Sequence, residues 1–498
     1  MVANQMSWRV RGATKTVGRG HYRRVNAKPR DRERRESCGG SRPPDHEHPD
    51  ASQNARPTVG EGSLRAAAVV PIRGYGSLVS HLAPRSALLI AAFDSQLKWC
   101  AGIRNELKAR GFTCQVAVPR TRSALSVRQI SDAGFDDVHL RSWPELVEDA
   151  LRSDVVVCAL SGPMTQRLSI DLSEASGPGA PGPVLVSGWV GIIIEKITAG
   201  YLDRAGTDVV AVNSAHDLAY FRRTAGTLGL SDDNLVLSGL PFLSSDPQPE
   251  RGGEIQRVLF ADQPTVPASP VERLHVYRRL IDYAAEHPDR EVILKPRHRP
   301  GEDTFHRMAH HPADLLKGEE LPANFRIDYT PIARQLPHVD LLITMSSTAC
   351  LEAIDHGCRV ALVLDLGVHE RYGNHVFLDS GLLRTFDEIM KDEIGIPEPV
   401  WLEGYFGDRT QPAKRTIADR VEDLLESGER PSHQIWGTPY FRSAIDMVRT
   451  KDAAGKSWIS PAWARRMQAH GPVFGTLAQG AHLALPPVVI RPIRRVLR

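Results

Sequence analysis

Short runs rich in Val, Ile, Leu and Ala recur from residue 86 to residue 240, separated by longer amphipathic stretches, and the same rhythm restarts after residue 253. Apolar runs of about four to eight residues between helical patterns predict the buried strands of a parallel sheet with crossover helices. In the first set the predicted strands are Leu88–Phe93, Cys114–Val118, Val155–Leu160, Val184–Ser187, Val209–Val212 and Leu235–Leu237. The stretch from Leu97 to Arg110 reads as a crossover helix stopped by Gly111. The second set predicts strands at Arg257–Ala261, Val292–Lys295, Leu341–Thr344 and Val360–Leu364, with a helix from about Val271 to Glu286. A further helix at Ile417–Glu426 is expected to close this second unit. Two successive α/β units of this size, joined by the polar stretch Ser244–Gly253, imply two Rossmann-like domains facing a cleft.

The flanks behave differently. Residues 1–84 are rich in Arg, Pro, Gly, Ser and His and show neither period, so they cannot bury enough apolar surface to offset ordering. They read as a disordered basic region, or equally as an extension upstream of the true start. The division expected is therefore 1–84 basic region, 85–243 N-terminal acceptor domain, 254–430 C-terminal nucleotide-donor domain and 431–498 helical, basic tail.

Composition narrows the class. At 41% apolar and 24% charged the 498-residue chain is of ordinary globular make-up. Its net charge of +3 conceals basic ends around a net acidic body, which argues against a nucleic-acid-binding surface. The six cysteines include no C-x-x-C pair and read as free thiols in a reducing cytoplasm. No apolar run is long enough to cross a membrane. The last residues, Val488 to Arg498, mix apolar side chains with four arginines, so contact with an anionic inner membrane face is one expectation and a solvated basic end the other.

Several familiar signatures fail. Gly455-Lys456-Ser457 lacks the first glycine of a phosphate loop, Thr450 standing in its place. His369-Glu370 is followed by His375 at the wrong spacing for a shared metal, and neither G-x-G-x-x-G after the first strand nor G-x-S-x-G is present. No metal site and no cofactor are expected.

Two elements in the second half carry chemistry. The strand ending at Thr344 runs into Ser346-Ser347-Thr348 and then into a helical stretch containing Glu352. Hydroxyls and backbone N–H groups at a strand-to-helix turn suit a phosphate, with Glu352 one turn further on for ribose hydroxyls; equally, the hydroxyls cap the helix and Glu352 is solvated. Lys295-Pro296-Arg297-His298-Arg299-Pro300 ends another strand, where Lys295, Arg297 and His298 suit phosphate oxygens or form a basic surface loop.

Taken together, Lys-Pro-Arg-His-Arg-Pro and, some fifty residues later, Asp340 followed by Ser346-Ser347-Thr348, Glu352-Ala353 and Gly357 resemble the C-terminal half of bacterial GT-B glycosyltransferases. The families in view are the polysialyltransferases, the capsule Kdo transferases and the CDP-glycerol glycerophosphotransferases. The resemblance covers about residues 255–366 in motif and 86–240 only in architecture; an extra Arg299 separates His298 from Pro300, and Arg359 stands where a proline commonly follows the glycine. It implies a GT-B fold and a metal-independent transferase in which His298, Ser346 and Ser347 bind the nucleotide and phosphate of a CMP-, CDP- or UDP-linked sugar. The acceptor would be a glycan or lipid-linked hydroxyl.

In the first half, Asp94 at the end of the first strand is a candidate general base or else a helix N-cap. Gly188 and Gly191 would let backbone approach the sugar or acceptor, and Gln263 ends a strand facing the cleft. The rival readings are a nucleotide-sugar epimerase of the same fold and a non-catalytic scaffold of polysaccharide assembly.

Overall fold

The computed structural model describes residues 84–120, 123–176, 182–244, 248–300, 302, 308–407 and 411–453. Most of the basic N-terminal region and residues 454–498, including the arginine-rich end, lie outside the described residues.

Among the described residues two parallel sheets form. The first contains β1 (Ser86–Ala91), β2 (Thr113–Pro119), β3 (His139–Arg141), β4 (Val155–Ala159), β5 (Val184–Gly188), β6 (Val209–Val212) and β7 (Leu235–Leu237), in the order β3-β2-β1-β4-β5-β6-β7. The second contains β8 (Arg257–Ala261), β9 (Glu291–Lys295), β10 (Phe325–Ile327), β11 (Leu341–Thr344), β12 (Arg359–Val363) and β13 (Leu383–Arg384), in the order β10-β9-β8-β11-β12-β13. Every pairing between these strands is parallel. Both sheets belong to one compact unit.

The central strands are continuous apolar runs because helices cover both faces of each sheet. In β4 and β6 every residue is buried. The three strands that the hydrophobic pattern misses, β3, β10 and β13, all lie at sheet edges, span two or three residues and are partly exposed. An edge strand covered on fewer sides needs no continuous apolar run.

Helix starts follow local chemistry. Ser269 accepts from the Glu272 N–H, Pro270 takes the first helical position, and the helix Pro270–Glu286 buries Val276, Tyr277, Leu280, Tyr283 and Ala284 on one face. That face packs on Val258, Phe260, Val292 and Leu294. The helix Asp94–Ala109 buries Leu97, Trp99, Cys100, Ile103 and Leu107. These join one core with Leu89, Val157 and Val186 of the first sheet and with Leu259, Ile293 and Leu342 of the second. Each such fully buried aliphatic side chain contributes about 1.5–3 kcal/mol relative to exposure, so the shared core holds the two sheets together.

The chain does not end its path on the second sheet. The helix Ala413–Ser427, expected to close the second unit, packs instead against the helix Asp94–Ala109 and against β5 and β6. Its buried stripe of Ile417, Ala418, Val421 and Leu424 enters the shared core, and Arg110 reaches Asp419 at 2.6 Å and Glu422 at 2.5 Å. Farther on, the buried Asp208 accepts from Ser432 Oγ at 2.6 Å, and Trp436 Nε1 donates to the Gly206 carbonyl at 3.0 Å. An amphipathic stripe shows that a helix packs, not on which sheet, and this one crosses back.

Candidate functional site

In each sheet the strand order reverses at one place, between β1 and β4 and between β8 and β11. Connections leave such neighbours in opposite directions, so a crevice opens beyond their carboxyl ends, and open α/β sheets bind ligands there. Asp94 follows β1; Gln263 follows β8; Ser346 follows β11; Arg297 leaves the end of β9 beside them.

The two units meet at these ends through specific contacts. Arg297 Nη2 donates to both carboxylate oxygens of Asp94, at 2.9 and 3.0 Å. One turn along the same helix, Lys98 forms an ion pair with Glu352 and lies 4.6 Å from the centroid of the Phe242 ring. The Ile192 N–H donates to Thr348 Oγ1 at 3.1 Å. A second seam joins Ser126 Oγ to Glu302 at 3.0 Å and Arg128 to the Tyr329 carbonyl at 3.3 Å. The structure thus brings Arg297, Thr348 and Glu352 against the first domain, each on a named partner there.

Asp94 is not the N-cap of its helix. Phe93 holds that position, and Asp94 is the first helical residue with its carboxylate turned to Arg297. Lys98 was not singled out from the sequence, although its i+4 spacing from Asp94 puts it on the same helix face.

Lys295 ends β9 with its ammonium donating to the Pro296 carbonyl at 3.2 Å. Among the described residues it forms no salt bridge. Burial, reinforced by the nearby Arg297 charge, pulls its pKa down to about 8. The nearby carboxylates of Asp328 and Asp94 offset this only in part.

The hydroxyl residues divide their work. Ser346 is buried; its hydroxyl donates to the Tyr372 carbonyl at 2.6 Å and its N–H donates to Gln263 Oε1 at 2.9 Å. Ser347 Oγ accepts from the Ala349 N–H at 3.2 Å and so caps the following turn. Thr348 makes no cap and crosses to Ile192. Gln263 is held in turn by a buried network without any sequence signal. Arg273 donates to Asp262 at 2.7 Å and to the carbonyls of Gln263, Pro264 and Pro267, while Tyr277 donates to Asp262 at 2.7 Å. Burial raises the Asp262 carboxyl to about 6 against the pull of Arg273 and Tyr277.

Three candidate residues differ from expectation in what they touch. His298 is buried, and both ring nitrogens serve its own loop: Nδ1 meets the Arg299 carbonyl at 3.1 Å and Nε2 accepts from the Met308 N–H at 3.3 Å. At Gly188 a side chain would strike the Trp99 ring at 2.8 Å and the Ala211 carbonyl at 3.0 Å, so helix-on-strand packing, not room for a ligand, requires the glycine. At Gly191 it would collide with Thr348 Oγ1, so this glycine lets the domains close on each other. A cavity of about 460 Å³ opens elsewhere, at the other end of β12, between Arg359, Ile396, Leu402 and Phe406. Among the described residues no group of three or more His, Cys, Asp or Glu side chains is arranged to hold a metal ion, and no helix is long and apolar enough to cross a membrane.

Residues 87–424, roughly two thirds of the chain, match the family described as "Putative glycosyltransferase (DUF6716)". The chain belongs to this family. The two parallel α/β sheets, meeting through the contacts described above, make a GT-B fold. No curated protein matches the chain in sequence. Similar solved structures include MnaA of S. aureus with UDP, at 12% identity over 69% of this chain and 97% of that one, with a TM-score of 0.44. The UDP-GlcNAc 2-epimerase of Neisseria meningitidis bound to UDP-GlcNAc is 11% identical over 69% of this chain and 100% of that one, TM-score 0.43. MurG of Acinetobacter baumannii is 11% identical over 68% and 100%, TM-score 0.40.

Proposed function

We propose that the chain moves a glycosyl or related group from a nucleotide-activated sugar to a hydroxyl acceptor, in the cleft between the two sheets. The observation that carries this reading is the meeting of Arg297, from the loop after β9, and Glu352, from the helix after β11, with one helix face of the first domain, Lys295 ending β9 two residues before Arg297, in a chain of a glycosyltransferase family. Lys295 and Arg297 neutralise the donor's phosphate charge without a metal, and Glu352 accepts from ribose hydroxyls.

The reaction breaks the bond between the anomeric carbon and the phosphate oxygen and forms one from that carbon to the acceptor oxygen. The acceptor's proton passes to Asp94. A carboxylate bound two-fold by a guanidinium is a poor base, so the Asp94–Arg297 pair has to part before either group acts. Donor phosphate, taking over Arg297, supplies the reason for it to part. The motif resemblance favours surface polysaccharide or glycoconjugate synthesis as the setting, with a glycan or lipid-linked acceptor. The charge of the arginine-rich end favours a membrane surface as the meeting place.

The test is a thermal-shift screen with CMP, CDP, UDP, GDP and their sugars, followed by product analysis with and without acceptors. A ligand at a hundred times its Kd adds about 2.7 kcal/mol of stability. Sugar transfer only in the presence of an acceptor is the expected result. Conversion of the nucleotide sugar alone would identify an epimerase, and no binding at all a scaffold.

A further inference from the structure

Lys98 ties its own helix to two other parts of the molecule. It rises from the helix Asp94–Ala109, whose rotation is fixed by the fully buried neighbours Leu97 and Trp99. Its ammonium lies over Phe242, in the segment that leaves the first sheet for the second. It ends on Glu352 Oε2, with side-chain exposures of 33% for the lysine and 14% for the glutamate. Among the described residues the other carboxylate oxygen, Oε1, accepts no hydrogen bond. One oxygen is therefore anchored from the opposite domain while its twin remains open to a donor.

We propose that Lys98 is a positioning residue of the donor site, fixing one oxygen of Glu352 so that the other accepts from the ribose hydroxyls of a nucleotide. The inference rests on the donor-site reading above and adds to it a residue of the other domain. The lysine touches no part of the nucleotide; it holds the carboxylate oriented. A glutamate so little exposed, left without its partner, would rotate toward solvent. The arrangement also ties ribose recognition to domain contact, because the anchor comes from the first sheet's helix and the oxygen it aims belongs to the second unit.

Calorimetric titration of CMP, CDP, UDP and GDP, each beside its 2′-deoxy form, separates this role from its rivals. In the wild type the tightest ribonucleotide should bind about tenfold or more better than its deoxy form, the worth of one hydrogen bond to a charged group. Lys98→Met should erase that preference while leaving deoxynucleotide affinity within about threefold, Glu352→Gln should do the same, and the double variant should lose nothing further. Lys98→Arg should restore most of the preference. Equal weakening of both nucleotide forms in Lys98→Met, from a direct phosphate contact or a loosened junction, would overturn the assignment, as would a preference that survives the substitution. A wild type that binds without distinguishing ribose from deoxyribose overturns it too, yet leaves the donor site standing. A wild type that binds none of the four removes both. Lys98→Gln, which keeps a polar end without the charge, is read by the same criterion should the methionine variant fail to fold.

Discussion

Arg297 reaches from the loop after β9 to the Asp94 carboxylate at the end of β1, and the two close a bidentate ion pair across the domain junction. A residue proposed for donor phosphate and the residue proposed as base are thereby each other's partner. Asp94→Asn should lower turnover by about 10²- to 10⁴-fold, the usual worth of general base catalysis. Donor affinity should hold or tighten, since Arg297 loses its competitor. Steady-state rates beside calorimetric affinities decide this. An unchanged turnover would leave Asp94 a purely structural partner of Arg297.

Lys295 predicts a pH dependence. Its pKa falls from 10.5 to about 8 through burial, so the fold favours the neutral amine. Its contribution to stability is therefore fully present above the unfolded value of 10.5 and lost as pH falls through about 8. An anionic donor reverses the preference and draws a proton onto the amine. Nucleotide affinity should then fall as pH rises through about 8, by up to about tenfold per unit, with proton uptake visible as buffer-dependent binding enthalpy. Lys295→Met should flatten the profile. A profile of unchanged shape in that variant would detach Lys295 from the phosphates.

The buried network behind Gln263 makes a prediction about stability. Arg273→Met leaves Asp262 without its cation in the core and should cost about 3–5 kcal/mol in denaturant unfolding. Adding Asp262→Asn should recover part of that loss. Strict additivity of the two losses would mean that they act independently.

Gly188→Ala forces a methyl group toward the Trp99 ring and a backbone carbonyl and should destabilise by about 1–3 kcal/mol. Combining it with Trp99→Leu should relieve part of the cost. A neutral Gly188→Ala variant would show that the helix shifts freely.

How much of this was legible in the chain varies with how locally each feature is caused. The central strands β1, β4, β6 and β11 announce themselves because burial on both faces demands continuous apolar runs. β3, β10 and β13 do not, being edges. The basic and hydroxyl elements around Arg297 and Ser346 were visible as strand-end motifs, but their partners were not. Nothing local to Ser346 says that its hydroxyl binds Tyr372, and nothing local to Arg297 says that Asp94, some two hundred residues earlier, receives it. Arg273 reads as a solvated helix residue until the Asp262 loop folds over it. The return of the helix Ala413–Ser427 to the first sheet is likewise decided by which apolar surface remains uncovered once both sheets have formed.

The central claim is that the strand ends of the second sheet hold a nucleotide donor. Titrating the tightest nucleotide of the thermal-shift screen into the wild type, Arg297→Ala and Glu352→Gln, each shown to unfold cooperatively, tests it most directly. Each substitution should weaken binding by about 1.5–3 kcal/mol, tenfold or more, because each removes a hydrogen bond between charged and polar groups. Equal affinities in all three proteins would contradict the donor site assigned here.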